Sequence, residues 1–426
     1  MAEFTAEVFQ NEYLSQGSAD VHAVVSVACS GAGAAGTAGA AVAEIVIIDT
    51  SGSMDMPVSK INAARRAAAV AVGEILDGTW FAVLSGHSIA QMVYPPNPGM
   101  VRMSAAIRAD ALSAIGQLRS GGATAIGAWV AAATELFGQV PGTPQCHAIL
   151  LTDGRIEGEP ESALATALRK ARGRFQCDCR GIGDDWDVEE LRGIADALLG
   201  SVDIVAKPED LEADFESMMR TAMSRGVSDA RLRVWAPQGS EVLFVRQVAP
   251  AVEDLTPKAT AVSPLIREYP TGAWSDESRD YHVAVRVPVA ETGQERLAAR
   301  VEVVVNDQVM AKGLVRAVWS TDVELTTRID PAVAHYTGQA QLAEAIRDGL
   351  AAKAAGDERT ATVLLGQAAK LAHESGNENT TRLLSKVVDV VDVDAGTVRL
   401  RHDVARADEM ALDTRSTKTT RIRREP

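Results

Sequence analysis

The sequence predicts a multidomain protein of α/β plus β class. A doubly wound, mostly parallel sheet is inserted into a β-sandwich and is followed by a small helical bundle. Three observations lead there. Between residues 43 and 225, short apolar runs such as Ile45–Ile48 and Ala148–Thr152 alternate with helical periodicity, as in a parallel sheet covered on both faces. From 226 the rhythm changes to short strands separated by Pro- and Gly-containing turns, the pattern of an antiparallel sandwich. From about 337 the apolar spacing becomes three and four residues, which is helical.

The elements follow in chain order. Residues 21–29 (VHAVVSVAC) are β-branched and partly alternating, hence a strand. It has no sheet of its own nearby, so it is expected to complete the later sandwich. Residues 30–43 are low-complexity Gly/Ala and read as a flexible connector. The α/β stretch then brings strands at Ile45–Ile48, Trp80–Leu84, Ala148–Thr152, Cys177–Ile182 and Val202–Val205. Ala90–Tyr94 is a further strand that pairs with Trp80–Leu84. Helices are expected at Lys60–Leu76, Met103–Leu118, Ala125–Phe137, Ser162–Arg172, Val188–Leu199 and Glu209–Arg225. Five strands are expected after Gly226: Arg231–Trp235, Glu241–Val248, Tyr281–Val287, Arg300–Val305 and Lys312–Trp319. Three helices follow at Gln339–Ala354, Glu358–Glu374 and Glu378–Val390, broken by Gly356 and Gly376. The expected domains are therefore a sandwich over 1–40 and 226–325, an α/β domain over 43–225, and a helical element over 337–392. Residues 395–426, polar and basic at the end, are expected to be a disordered tail.

Composition narrows the function. With 46% hydrophobic and 23% charged residues, the chain can build large cores. Lys+Arg 42 against Asp+Glu 57 leaves a net charge of −15. That balance argues against nucleic acid, whose counterions a basic surface must displace, and against anionic membrane lipid. Four cysteines in 426 residues make no disulfide framework. Cys177 and Cys179 form C-x-C, with no second pair to complete a zinc site, and are read as reduced structural thiols. The first residues, MAEFTAE, have neither a basic nor an apolar region of a secretory signal. The apolar stretch from Cys29 to Ile48 carries Glu44 and is too weak to span a bilayer. A cytoplasmic location is expected.

The chemistry gathers at strand ends. Ile45–Ile48 runs into Asp49-Thr50-Ser51-Gly52-Ser53-Met54, a D-x-S-x-S pattern. Ala148–Thr152 ends in Asp153-Gly154 in the same way. If both strands are central and parallel, the two carboxylates meet at the carboxyl edge, where open α/β sheets bind ligands. Between them in sequence, Ser120-Gly121-Gly122-Ala123-Thr124 delivers a hydroxyl just before a helix. Two carboxylates and three hydroxyls, without His or Cys, suit Mg²⁺, Mn²⁺ or Ca²⁺ rather than zinc. Taken alone, the D-x-S-x-S run also fits helix capping by Ser53 or Asp55. Asp184 and Asp185 read as a turn and N-cap, His87 and His147 as structural residues, and Trp186, Trp235, Trp274 and Trp319 as packing anchors.

The chain from about 43 to 225 resembles a von Willebrand factor A domain, of Rossmann-like architecture. The D-T-S-G-S-M run, the G-G-A-T loop and the L-L-T-D-G strand end are similar to that family's metal-ion-dependent adhesion site. Position by position, the resemblance implies metal ligation by Asp49, Ser51, Ser53, Thr124 and Asp153. The run Gly181-Ile182-Gly183-Asp184-Asp185-Trp186 is similar to the strand and loop after the fifth helix of bacterial members. The resemblance implies a non-enzymatic protein-binding or scaffold module, most simply with Mg²⁺, whose open coordination position takes an Asp or Glu from a protein partner. Two alternatives share the site: a metal-dependent hydrolase or phosphotransferase, and a scaffold whose metal stabilises the fold. Against the first, the third motif position is Ser51 rather than Asp and the chain has no G-x-x-x-x-G-K-[ST] loop. In the tail, Thr419 with Ile422 resembles the phosphothreonine-x-x-Ile pattern read by forkhead-associated domains, which makes such a domain a further partner expectation.

Overall fold

A computed structural model describes residues 2–33, 42–142 and 145–421. Most of the expected Gly/Ala connector lies outside them. The chain divides into two units, Met1–Gly31 with Asp229–Pro426, and Ala32–Ser228. It starts in the first with β1 (Glu3–Gln10), β2 (Tyr13–Leu14) and β3 (Asp20–Ser30).

The second unit carries β4 (Val42–Asp49), α1 (Ser59–Glu74), β5 (Trp80–Gly86), β6 (Ala90–Tyr94), β7 (Val101–Arg102), α2 (Ala105–Gly116) and α3 (Ile126–Phe137). It continues through β8 (Gln145–Thr152), α4 (Glu161–Ala171), β9 (Gln176–Ile182), α5 (Val188–Ala197), β10 (Val202–Val205) and α6 (Leu211–Ser224). The sheet order is β10-β9-β8-β4-β5-β6, with β7 also on β5. β10, β9, β8, β4 and β5 run parallel, and β6 and β7 pair antiparallel to β5. β4 is central, so its apolar run is buried on both faces. Val46 and Ile48 join one core with Ala-rich α1, α2 and α6. Ile45 and Ile47, equally buried, point the other way because strand side chains alternate, toward the face that α3 contacts. Two glycines let tryptophans lie on the sheet: a Cβ at Gly86 would stand 2.4 Å from the Trp129 ring, and one at Gly181 would stand 1.9 Å from Trp186.

The chain returns as β11 (Ala230–Trp235), β12 (Glu241–Ala249), β13 (Glu253–Asp254), β14 (Thr260–Ser263), β15 (Ile266–Pro270), β16 (Glu277–Arg286), β17 (Glu295–Val305) and β18 (Gln308–Trp319). One sheet has the order β1-β3-β16-β12-β13 and the other β14-β15-β11-β17-β18-β2. β3 lies between β1 and β16, antiparallel to both, so the early strand completes a sandwich with chain from beyond the α/β unit. The sheets touch closely where Val8 of β1 packs over Gly313 of β18.

Helices α7 (Val323–Thr326), α8 (Pro331–Ala354), α9 (Glu358–Glu374), α10 (Glu378–Val387) and α11 (Arg406–Arg415) follow, with the hairpin β19 (Val388–Asp392) and β20 (Thr397–Leu400) before the last helix. α8 starts earlier than its apolar spacing indicates, because Asp330 caps it and Pro331 fits the first turn. Ala332, Val333 and Tyr336 pack against Val24, Val248 and Ala249, so the helices belong to the sandwich unit rather than forming an element apart.

Two expectations are corrected here. The third helix stops at Val387, where the Val-rich stretch Val388–Val391 turns into β19. The tail from 395 to 421 is structured rather than disordered. Leu412 of α11 and Val398 of β20 enter the helical core. Thr419 N–H donates to the Pro250 carbonyl at 3.0 Å, and its hydroxyl donates to the Val248 carbonyl at 2.7 Å. Arg421 pairs with the buried Asp280. Burial of a few apolar groups and a paired charge outweighs the polar composition. Ile422 lies outside the described residues.

Candidate metal centre

Strand topology places the two acids. Ile48 of β4 stands opposite Leu151 of β8 in parallel register, so both strands end side by side and deliver Asp49 and Asp153 to one edge. Both carboxylates are fully buried. Asp49 Oδ1 accepts the Ser51 N–H at 2.7 Å, and Oδ2 accepts the Thr152 hydroxyl at 2.5 Å. The chain then makes one 3-10 turn, Gly52–Asp55, which sets Ser51 Oγ 2.9 Å from Ser53 Oγ. Ser53 Oγ donates to Asp153 Oδ1 at 2.6 Å.

Thr124 reaches this group because its loop is bonded to the Asp49 loop. Gly121 N–H donates to the Thr50 carbonyl at 2.7 Å, and Gly52 N–H donates to the Gly122 carbonyl at 3.0 Å. Gly122 has φ +87°, a left-handed conformation that glycine adopts without strain. The Thr124 and Ser53 hydroxyls both face Gly154: a Cβ there would stand 3.3 Å from one and 3.4 Å from the other. All five residues singled out in the sequence thus stand together.

Two further residues complete the setting. Thr152 orients Asp49. Lys60, on the first turn of α1, places its Nζ 2.7 Å from Asp153 Oδ2 and 3.5 Å from Asp185 Oδ2. Burial opposes the charge of Lys60, but the bond and charge of Asp153, with Asp185, hold its pKa above the ordinary lysine value. Asp49 has no such help: its partners are neutral donors. Burial pushes its pKa up to about 6, against the hydrogen bonds of Ser51 and Thr152 that lower it.

Capping does not account for the motif. α1 begins at Ser59 behind Val58 and the 3-10 turn starts behind Ser51, neither with a side-chain cap. The N-cap of α5 is Asp187, whose carboxylate accepts from Glu189 and Glu190 N–H. Asp184 and Asp185 therefore do not cap it, and Asp185 turns toward Lys60. Cys177 and Cys179 are buried thiols 4.0 Å apart without a disulfide. Trp186 is buried and donates to the Gly183 carbonyl at 3.0 Å.

At the opposite, amino end of the same strands lies a second polar cluster. His147 of β8 is buried between Glu44 of β4, 2.6 Å from Nδ1, and Asp178 of β9, 2.8 Å from Nε2. Burial works against the imidazole's charge, yet Glu44 and Asp178 push its pKa up to about 9. Both ring nitrogens face carboxylate oxygens, the arrangement that an imidazolium satisfies by donating to each, while burial raises the Glu44 carboxyl against the pull of His147. Burial also works to raise Asp178, but His147, Arg225 and Arg180 hold it well below the usual carboxylate range.

The edge residues fit a hard divalent cation. No cluster of three or more His, Cys, Asp or Glu able to hold a metal occurs among the described residues. The donors are instead two carboxylates and three hydroxyls, an oxygen set of the kind magnesium, manganese and calcium take. Asp49, buried and facing no cationic side chain among the described residues, is the charge a cation would compensate.

A doubly wound α/β domain inserted in a β-sandwich, with these motifs at its carboxyl edge, is the class of molecule the geometry defines. The chain belongs to the von Willebrand factor type A family: it is 45% identical, with a TM-score of 0.93, to a von Willebrand factor type A protein from Catenulispora acidiphila, over 99% of this chain and 97% of that one. The family's type A domain matches residues 43–204, and its type A C-terminal domain matches 370–416. The fold is also similar to the ArnB paralog VWA2 from Sulfolobus acidocaldarius, at 14% identity and TM-score 0.58 over 97% of this chain and 98% of that one. Human COPII-coat protein Sec24c shares it more distantly, at 11% identity and TM-score 0.56 over 89% of this chain and 58% of that one. Among curated proteins, none matches this chain. No helix among the described residues is long and apolar enough to cross a membrane.

Proposed function

We propose that this chain is a non-enzymatic, divalent-metal-dependent protein-binding module. One observation carries the reading: Asp49, Ser51, Ser53, Thr124 and Asp153 converge at the carboxyl edge of two central parallel strands as an all-oxygen set. The hydroxyls of Ser51, Ser53 and Thr124 would hold the ion, with Asp49 and Asp153 bound directly or through water. Mg²⁺ suits this set first, and Mn²⁺ or Ca²⁺ also fit its chemistry. Bound there, the cation supplies a positive centre with a coordination position for an outside oxygen, and an Asp or Glu of a protein partner is the group that fills it. Thr152 and the Ser51 N–H keep Asp49 oriented. The hydroxyl-rich motif with Ser51 at its third position favours binding over hydrolysis.

Calorimetric titration of Mg²⁺ and Mn²⁺ into wild type, Asp49→Ala and Asp153→Ala tests the reading. One ion per wild-type chain is expected, with affinity reduced at least about a hundredfold in either variant. Equal affinity in all three proteins would place the ion elsewhere.

A further inference from the structure

Lys60 puts a positive charge inside the proposed metal site. Its side chain is only 8% exposed, against 72% for Asp185, its second partner. Solvent screens Asp185, so the ammonium acts chiefly on Asp153. It holds Oδ2 of that carboxylate while Ser53 holds Oδ1. Lysine is seldom buried this deeply without a fixed partner, and here that partner is one of the two acids expected to carry the ion.

Charge counting gives the consequence. Asp49 and Asp153 contribute −2 and Lys60 contributes +1, which leaves −1 for a dication. The loaded site is then +1, and a single outside carboxylate brings it to zero. With a neutral residue at position 60, the dication alone would balance the two acids, and an added carboxylate would meet no excess charge.

We propose that Lys60 couples the ion to the acidic partner: it holds metal affinity down while no carboxylate is present and makes metal and carboxylate bind cooperatively. The inference rests on the reading of the five oxygens as a metal site. Opposite charges inside a shielded edge interact far more strongly than in water, and linkage requires the effect to be reciprocal, each ligand tightening the other by the same factor.

The test titrates Mn²⁺ into the full chain by calorimetry, for wild type, Lys60→Gln, Lys60→Met and Lys60→Arg. Each titration is run in sodium chloride and again in sodium acetate at equal ionic strength, acetate being the carboxylate probe. The Gln and Met variants are expected to bind Mn²⁺ about tenfold more tightly or better. Lys60→Arg, which keeps the charge, should stay near wild type. Acetate should tighten Mn²⁺ binding severalfold in wild type and much less in the neutral variants. Affinities within twofold of wild type in both neutral variants, with Mn²⁺ bound by all, would overturn the role of Lys60 and leave the metal site standing. Absence of an acetate effect in wild type would overturn the coupling, even if a variant failed to fold. No Mn²⁺ binding by any of the proteins would instead overturn the metal site itself.

Discussion

At the amino ends of β4, β8 and β9, the buried carboxylates Glu44 and Asp178 close on the His147 ring from either side. At the carboxyl ends of β4 and β8, the equally buried Asp49 is held by neutral donors, and the Lys60 ammonium bonds Asp153 instead. The two clusters belong to the same strands and bury the same kind of group. One carries its own counterions, His147 between the two acids and Arg225 3.7 Å from Asp178, although burial still raises the Glu44 carboxyl and leaves its Oε2 without a hydrogen-bond partner among the described residues. The other is short of positive charge. The proposed function rests on this difference: at the carboxyl end a cation from outside would supply the balance that Asp49 does not find within the chain.

The comparison breaks most directly at His147. His147→Ala leaves Glu44 buried without its partner and Asp178 with only Arg225 and Arg180 nearby, and is expected to cost about 3–5 kcal/mol. Urea unfolding at neutral pH measures it, and a loss below about 1 kcal/mol would show that the cluster is not an ion-paired one. The second effect is pH. The folded-state pKa of His147 stands at about 9, above its ordinary 6.5. Its contribution is therefore complete below 6.5 and lost as pH rises through 9, roughly 3 kcal/mol in all. A urea midpoint that falls between pH 7 and 10 in wild type, but not in His147→Ala, is the expected signature.

At the other end the sign reverses. Asp49, raised from 3.8 to about 6, costs the metal-free fold stability as pH climbs through that interval. Asp49→Asn should therefore stabilise the metal-free protein by about 1–3 kcal/mol above pH 6, with no gain below pH 4. Thermal melts in EDTA across that range would show it, and destabilisation at pH 7 would contradict it. The smallest expected effect lies in the sandwich unit. Thr419→Ala removes the hydroxyl bond to the Val248 carbonyl and should cost about 1 kcal/mol.

The two clusters also differ in how far they could be read from sequence. Asp49 and Asp153 are each announced by an apolar run that ends in an acid, and the loop before Thr124 by its glycines, so local chain signals suffice. Glu44, His147 and Asp178 each sit inside an apolar strand with nothing local to connect them. Only the register that sets Glu44 opposite His147, and β9 beside β8, brings them together. Lys60 was hidden for a similar reason: it opens an Ala-rich helix, where a lysine normally faces water. The succession of strands and helices in the α/β unit followed from periodicity. The order of the C-terminal tail did not, because it comes from Leu412, Thr419 and Arg421 reaching distant parts of their own unit, and composition does not register such contacts.

The most direct test is capture of partners by wild type and by Asp49→Ala, each in Mg²⁺ and in EDTA. A carboxylate-bearing protein retained only by wild type in Mg²⁺, and lost when its Asp or Glu is changed to the amide, is the expected result. The same partners held equally in all four samples would contradict it and move recognition to the sandwich or the helices.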